Sequence, residues 1–118
     1  MRAVTLLDAE TGAVVCEPCE LAARPWSRMR GLLGRRGLAP GHGMLFTRTH
    51  AIHTAGMRFP IDVVFLDREL VVGSVAAHVP AWRTASHRGA RWTLELAAGE
   101  AERLGLSEGR RVVIADER

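Results

Sequence analysis

The chain has 118 residues, of which 47% are apolar and 25% charged, with a formal net charge of +3. That size supports one domain with a buried core and excludes both a second core and a chain dominated by disorder. No apolar run approaches the ~20 residues of a membrane span, and Asp8 interrupts the N-terminal apolar residues before a signal-peptide core can form. The sequence therefore predicts a soluble, cytoplasmic protein.

Ala3–Leu7 and Ala13–Glu17 are apolar runs flanking Asp8-Ala9-Glu10-Thr11-Gly12, which reads as a hairpin. Cys16 and Cys19 lie at the end of the second run. A single Cys-x-x-Cys lacks the second ligand pair of a structural zinc site, and in a reducing compartment it reads as two thiols. No metal is expected. A short helix is predicted over 25–33, with Pro25 in its first turn and Trp26, Met29 and Leu33 on one face. Gly34 suits its C-terminal stop.

Gly37–Gly43 is rich in Gly and Pro and reads as a loop leading into a strand at Met44-Leu45-Phe46. The segment around His50 and His53 reads as irregular. Ile61–Leu66 is apolar except for Asp62 and predicts a buried strand, returned through Asp67-Arg68-Glu69 by Val71–Val79. In that return strand, simple alternation puts Val71, Gly73, Val75, Ala77 and Val79 on one face. Trp82–Arg91 is polar and predicts an exposed loop. Arg91–Leu96 reads as a strand, with Glu95 opposite the Trp92, Leu94 and Leu96 face. A second helix is predicted over 98–104, closed by Gly105, and a last strand over Val112–Ile114. The charged Asp116-Glu117-Arg118 is expected to fray. The sum is a mostly β (α+β) single domain, a small β-barrel or β-sandwich with two short helices.

Charge is unevenly placed. All sixteen basic residues are Arg. Between Glu20 and Asp62, 41 residues carry no carboxylate, yet hold seven Arg and three His. A segment of one sign can make a local positive field, although later acids could balance it in space.

The blocks Arg30-Gly31-Leu32-Leu33-Gly34-Arg35, Gly43-Met44-Leu45-Phe46, His53-Thr54-Ala55-Gly56-Met57-Arg58, Pro60-Ile61-Asp62 and Leu94-Glu95-Leu96-Ala97-Ala98-Gly99 occur in this order. Together they resemble domain-of-unknown-function family 192, over roughly residues 3–115. The resemblance implies a compact, mostly β fold with a short early helix. It implies no reaction. Cys16 and Cys19 fall outside the pattern.

Two classes of function compete with a third. The first is a non-enzymatic module binding a small anionic ligand or an acidic protein partner through His53, Thr54, Met57 and Arg58. The second is a hydrolytic enzyme with His53 paired to Asp62 or Glu95 as acid and base. The third is a metal-binding domain using His50 and His53. The bland reading of Asp62 is a buried carboxylate that caps backbone N–H groups, and that of Glu95 a solvent-facing strand residue. Neither a nucleophile motif nor a phosphate-cradling glycine loop is present, and no cofactor is expected. Trp26, Trp82 and Trp92 with the arginines invite a nucleic-acid reading, but it is disfavoured, because Trp26 is accounted for by the first helix face, aromatics are few and no nucleic-acid-binding motif occurs. The first class needs only the charge asymmetry and is preferred.

Overall fold

The structure is a computed structural model that describes residues 2–22, 37–54 and 58–117. Nine strands follow one another among these residues: β1 (Arg2–Asp8), β2 (Val14–Ala22), β3 (Gly43–Thr47), β4 (Ala51–His53), β5 (Ile61–Leu66), β6 (Val72–Val79), β7 (Thr84–Ser86), β8 (Trp92–Ala97) and β9 (Val112–Glu117). One helix, α1 (Glu100–Arg103), lies between β8 and β9. It is shorter than the 98–104 expected. The helix expected over 25–33 lies outside the described residues.

Seven strands form one curled sheet, a half-barrel, in the order β6-β5-β8-β3-β2-β1-β9. Only β2 and β3 run parallel. The edge strands β6 and β9 meet just ahead of their first residues, through a Val71–Arg111 bridge and hydrogen bonds from Val72 N–H to Arg110 O and from Val112 N–H to Leu70 O. Contact at that one place covers part of each edge, which limits unwanted strand pairing. Among the described residues no helix is long and apolar enough to cross a membrane.

The concave face holds the larger core. Val4, Leu6, Val15, Leu45, Val64, Leu66, Leu94, Leu96 and Val112 meet there, with Ala101 of α1 and Leu106 closing one side. Cys16 and Cys19 point into the same core. They are three residues apart, so a regular strand would send them to opposite faces. Between Leu6 and Val4, however, β2 carries one residue more than β1, a bulge that restores both thiols to one side. The Cys19 S–H donates to Cys16, and this bond together with burial pushes the Cys19 thiol far above the ordinary thiol range, so it resists forming the reactive thiolate. Gly43 faces Cys16 across the β2–β3 pair. A Cβ there would lie 2.9 Å from Cys16 Sγ and 2.6 Å from the Glu95 carbonyl oxygen. The glycine of the Gly43-Met44-Leu45-Phe46 block is therefore a packing requirement.

The convex face carries a second core of Met44, Phe46, Ile61, Val63, Phe65 and Val79, covered by Ile52 of β4 and Ala85 of β7. These two strands pair antiparallel as a separate two-stranded layer, with Ala51 opposite Ser86 and His53 opposite Thr84. The loop expected over Trp82–Arg91 and the irregular segment expected near His53 each contribute a strand of this layer. Three residues are too few to display a period of two. The layer also corrects the reading of Glu95. It is 2% exposed on the convex side, not solvent-facing, because β3, β5 and β8 are buried on both faces.

Two further corrections concern β6 and β9. Register shifts at both ends of the β5–β6 pair break the alternation expected along β6. Val72 and Val75 pack in the concave core, whereas Ala76 and Val79 join the convex one. Asp116 and Glu117 belong to β9 and pair with Thr5 and Val4, so the tail is tied down by sheet hydrogen bonds where fraying was expected.

Candidate functional site

Asp62 is the residue whose place is clearest. It is 1% exposed. Its Oδ1 accepts the His78 N–H at 2.8 Å, and its Oδ2 accepts the N–H groups of Gly99 at 3.0 Å and Ala101 at 2.9 Å. His78 lies at the β6 register shift with φ 52°, where a bulge leaves an N–H outside the ladder. Gly99 and Ala101 open α1, whose first N–H groups have no partner within the helix. One carboxylate thus ties a bulge and a helix start to β5, one strand in from the edge of the sheet. Glu95 occupies the next strand in register with Val63. Asp62 packs on the concave side and Glu95 on the convex side, so the two do not converge on one site.

Thr54 is fully buried. Its hydroxyl donates to Pro80 O at 2.5 Å and accepts the Arg83 N–H at 2.9 Å. Its backbone N–H donates to Arg83 O at 2.8 Å, and its carbonyl accepts the Trp82 N–H at 3.1 Å. Every polar group of Thr54 is engaged in shaping the turn from Pro80 to Arg83. Arg58 is exposed and immediately precedes Phe59, which packs against the convex core. The His53 side chain and Met57 lie outside the described residues.

What the fold adds is a second carboxylate-free segment. Residues 70–94 contain no Asp or Glu. This segment supplies β7, and the longer acid-free stretch supplies β4. Their pairing builds a layer whose flanks carry Arg48, Arg58, Arg83, Arg88 and Arg91, all exposed. Backbone bonds fix the neighbours: Thr49 N–H donates to Arg91 O at 3.2 Å, and His87 N–H donates to His50 O at 2.9 Å. Among the described residues none of these five arginines pairs with a carboxylate. Arg83, Arg88 and Arg91 went unnoticed in the sequence reading, although a count of acids along 70–94 would have found them.

His87 anchors the layer to the sheet. Its Nδ1 lies 2.9 Å from Ser74 Oγ, and its ring stacks on Phe65 at 6.1 Å. Gly73 leaves room beneath it, since a Cβ there would come within 2.7 Å of His87 Nε2. Among the described residues no three of His, Cys, Asp and Glu gather as metal ligands.

Most of the β framework that holds this layer falls within one family match. Residues 7–114 match domain-of-unknown-function family 192 (DUF192), described as "Uncharacterized ACR". The chain belongs to this family. No curated protein matches. Among solved structures, a protein from Sinorhizobium meliloti 1021 described as a "putative transcription regulator" is 30% identical, with a TM-score of 0.81 over 97% of this chain and 94% of that one. A protein of unknown function from Novosphingobium aromaticivorans DSM 12444 is 24% identical, with a TM-score of 0.82 over 94% of this chain and 84% of that one. The second likeness is one of fold.

Proposed function

We propose that this family member is a binding module whose β4–β7 layer takes a small anionic ligand or an acidic partner. The observation that supports it is the pairing of two acid-free segments into one arginine-flanked layer. Exposed guanidinium groups without carboxylate neighbours keep their donors for a ligand, and their planar forks suit phosphate or carboxylate. Arg58, His53 and Met57 remain the proposed contacts. Thr54 acts by holding the turn at Arg83, its own hydroxyl being engaged. We place the protein in the cytoplasm, where Cys16 and Cys19 stay reduced.

Titration of isotope-labelled protein with inorganic phosphate tests this reading. Amide shifts are expected in 48–54, at Arg58 and in 81–91. Affinity is expected to fall as salt rises. Shifts confined to the β1–β9 side, or none at all, would overturn it.

A further inference from the structure

Among the described residues, Trp82 is the most exposed large apolar side chain. It is 71% exposed and holds a left-handed backbone, φ 63°, a conformation that costs a bulky residue energy. The cost is met by Thr54, whose carbonyl binds the Trp82 N–H and whose hydroxyl spans Pro80 and Arg83. A fully buried threonine therefore serves to hold an indole in solvent beside a guanidinium. The Arg83 Nη1 reaches back to the Trp82 carbonyl at 3.3 Å, which keeps the guanidinium beside the Trp82 backbone.

We infer that Trp82 and Arg83, held by Thr54, form the first contact for a single-stranded nucleic acid running along the β4–β7 layer. This deepens, and rests on, the anion-binding reading of the same layer. Arginines alone would satisfy a carboxylate-bearing peptide, which has no use for the open indole. A single strand uses both: an unpaired base stacks on the tryptophan, and phosphates pair with guanidinium groups. The layer has the extent for it. Arg83 and His87 bracket β7 and stand roughly 13 Å apart at the usual rise of an extended strand, with Arg88 and Arg91 just beyond. No carboxylate in 70–94 or 21–61 opposes the phosphates. A duplex hides its base faces and offers the indole nothing.

The test is fluorescence anisotropy of the intact protein with labelled oligothymidylate of about a dozen nucleotides, the same strand as duplex, and a poly-glutamate peptide. The parent is expected to bind the single strand more tightly than the duplex. Trp82→Ala is expected to weaken single-strand binding about tenfold, with recovery in Trp82→Phe, and to leave duplex binding unchanged. Arg83→Ala is expected to reduce the slope of log affinity against log salt by about 0.7. Equal affinity of the parent and Trp82→Ala for the single strand overturns the inference. So does poly-glutamate binding as tightly as the oligonucleotide, which would leave the anion-binding layer standing with an acidic protein as its partner. No response to any of the three polyanions, together with no phosphate-induced shifts, would remove both readings at once.

Discussion

The molecule uses arginine in two ways, on two sides. Near β1 and α1, Arg110 and Arg103 are matched. Arg110 Nε lies 2.9 Å from Asp8 Oδ2, and its Nη1 lies 3.2 Å from Glu10 Oε2. Arg103 Nε lies 2.6 Å from Glu100 Oε2, while Glu100 Oε1 also accepts the Gly41 N–H at 2.9 Å. On the β4–β7 layer the arginines have no carboxylate beside them among the described residues. The same side chain is structural in one place and available in the other, and the difference lies in the acids. Carboxylates stand where loops, bulges and helix starts leave N–H groups to be satisfied, and the layer has none.

The sharpest way to break this comparison is to remove a carboxylate that builds the fold and a cation that does not. Asp62→Ala strips three N–H groups of their acceptor at once. Unpaired buried donors are costly, so the loss is expected to be about 3 kcal/mol in urea denaturation. Arg58→Ala and Arg83→Ala should each stay within about 0.5 kcal/mol of the parent. If an arginine of the layer proved as costly as Asp62, the layer would be structural and the contrast would fail.

Acid titration gives a smaller effect confined to the matched side. Burial pushes Asp8 upward, but the Glu10 N–H, Arg110 and the Thr11 N–H outweigh it and hold the carboxyl below its ordinary value. Arg103 does the same for Glu100 against the pull of burial, helped by the Gly41 N–H. A depressed carboxyl pKa contributes stability that is fully present above the unfolded value, near 4, and is lost as pH falls through the folded one. Stability should therefore decline below about pH 4. Arg110→Ala should lower the plateau and make the acid decline shallower. An acid limb unchanged in that variant would show that Arg110 does not support Asp8.

Much of this contrast can be read in the sequence, and the limits are physical. Ile61–Leu66 is continuous enough in apolar residues to declare a strand buried on both faces, and the structure has it at those bounds. Glu95 misled because alternation along one strand reports only that strand. A layer contributed by residues 51–53 and 84–86 is invisible to it, and that layer is what buries Glu95. The same holds for β6, where two register shifts move side chains between cores without any mark in composition. Asp62 was legible as a buried acceptor of backbone N–H groups, but its donors come from 16, 37 and 39 residues away. Of the cationic layer, the first acid-free stretch was legible and the second could have been counted. Their pairing is a long-range event that neither announces.

Trp82 supplies the smallest effect and the finest division between the two uses of the chain. If the indole were part of the fold, removing it would cost stability. Its exposure says that little apolar area is buried by it, and its φ of 63° says that a glycine would sit there with less strain. Trp82→Gly is therefore expected to unfold within about 0.5 kcal/mol of the parent, or to be slightly more stable by up to about 1 kcal/mol. Glycine also widens the unfolded ensemble, which offsets part of that gain. A measured loss of about 2 kcal/mol or more would mean that the tryptophan packs in solution, and the layer would lose the open aromatic surface that Trp82 gives it. A neutral result would leave Thr54 holding, with four hydrogen bonds, a turn whose most prominent side chain the fold does not need.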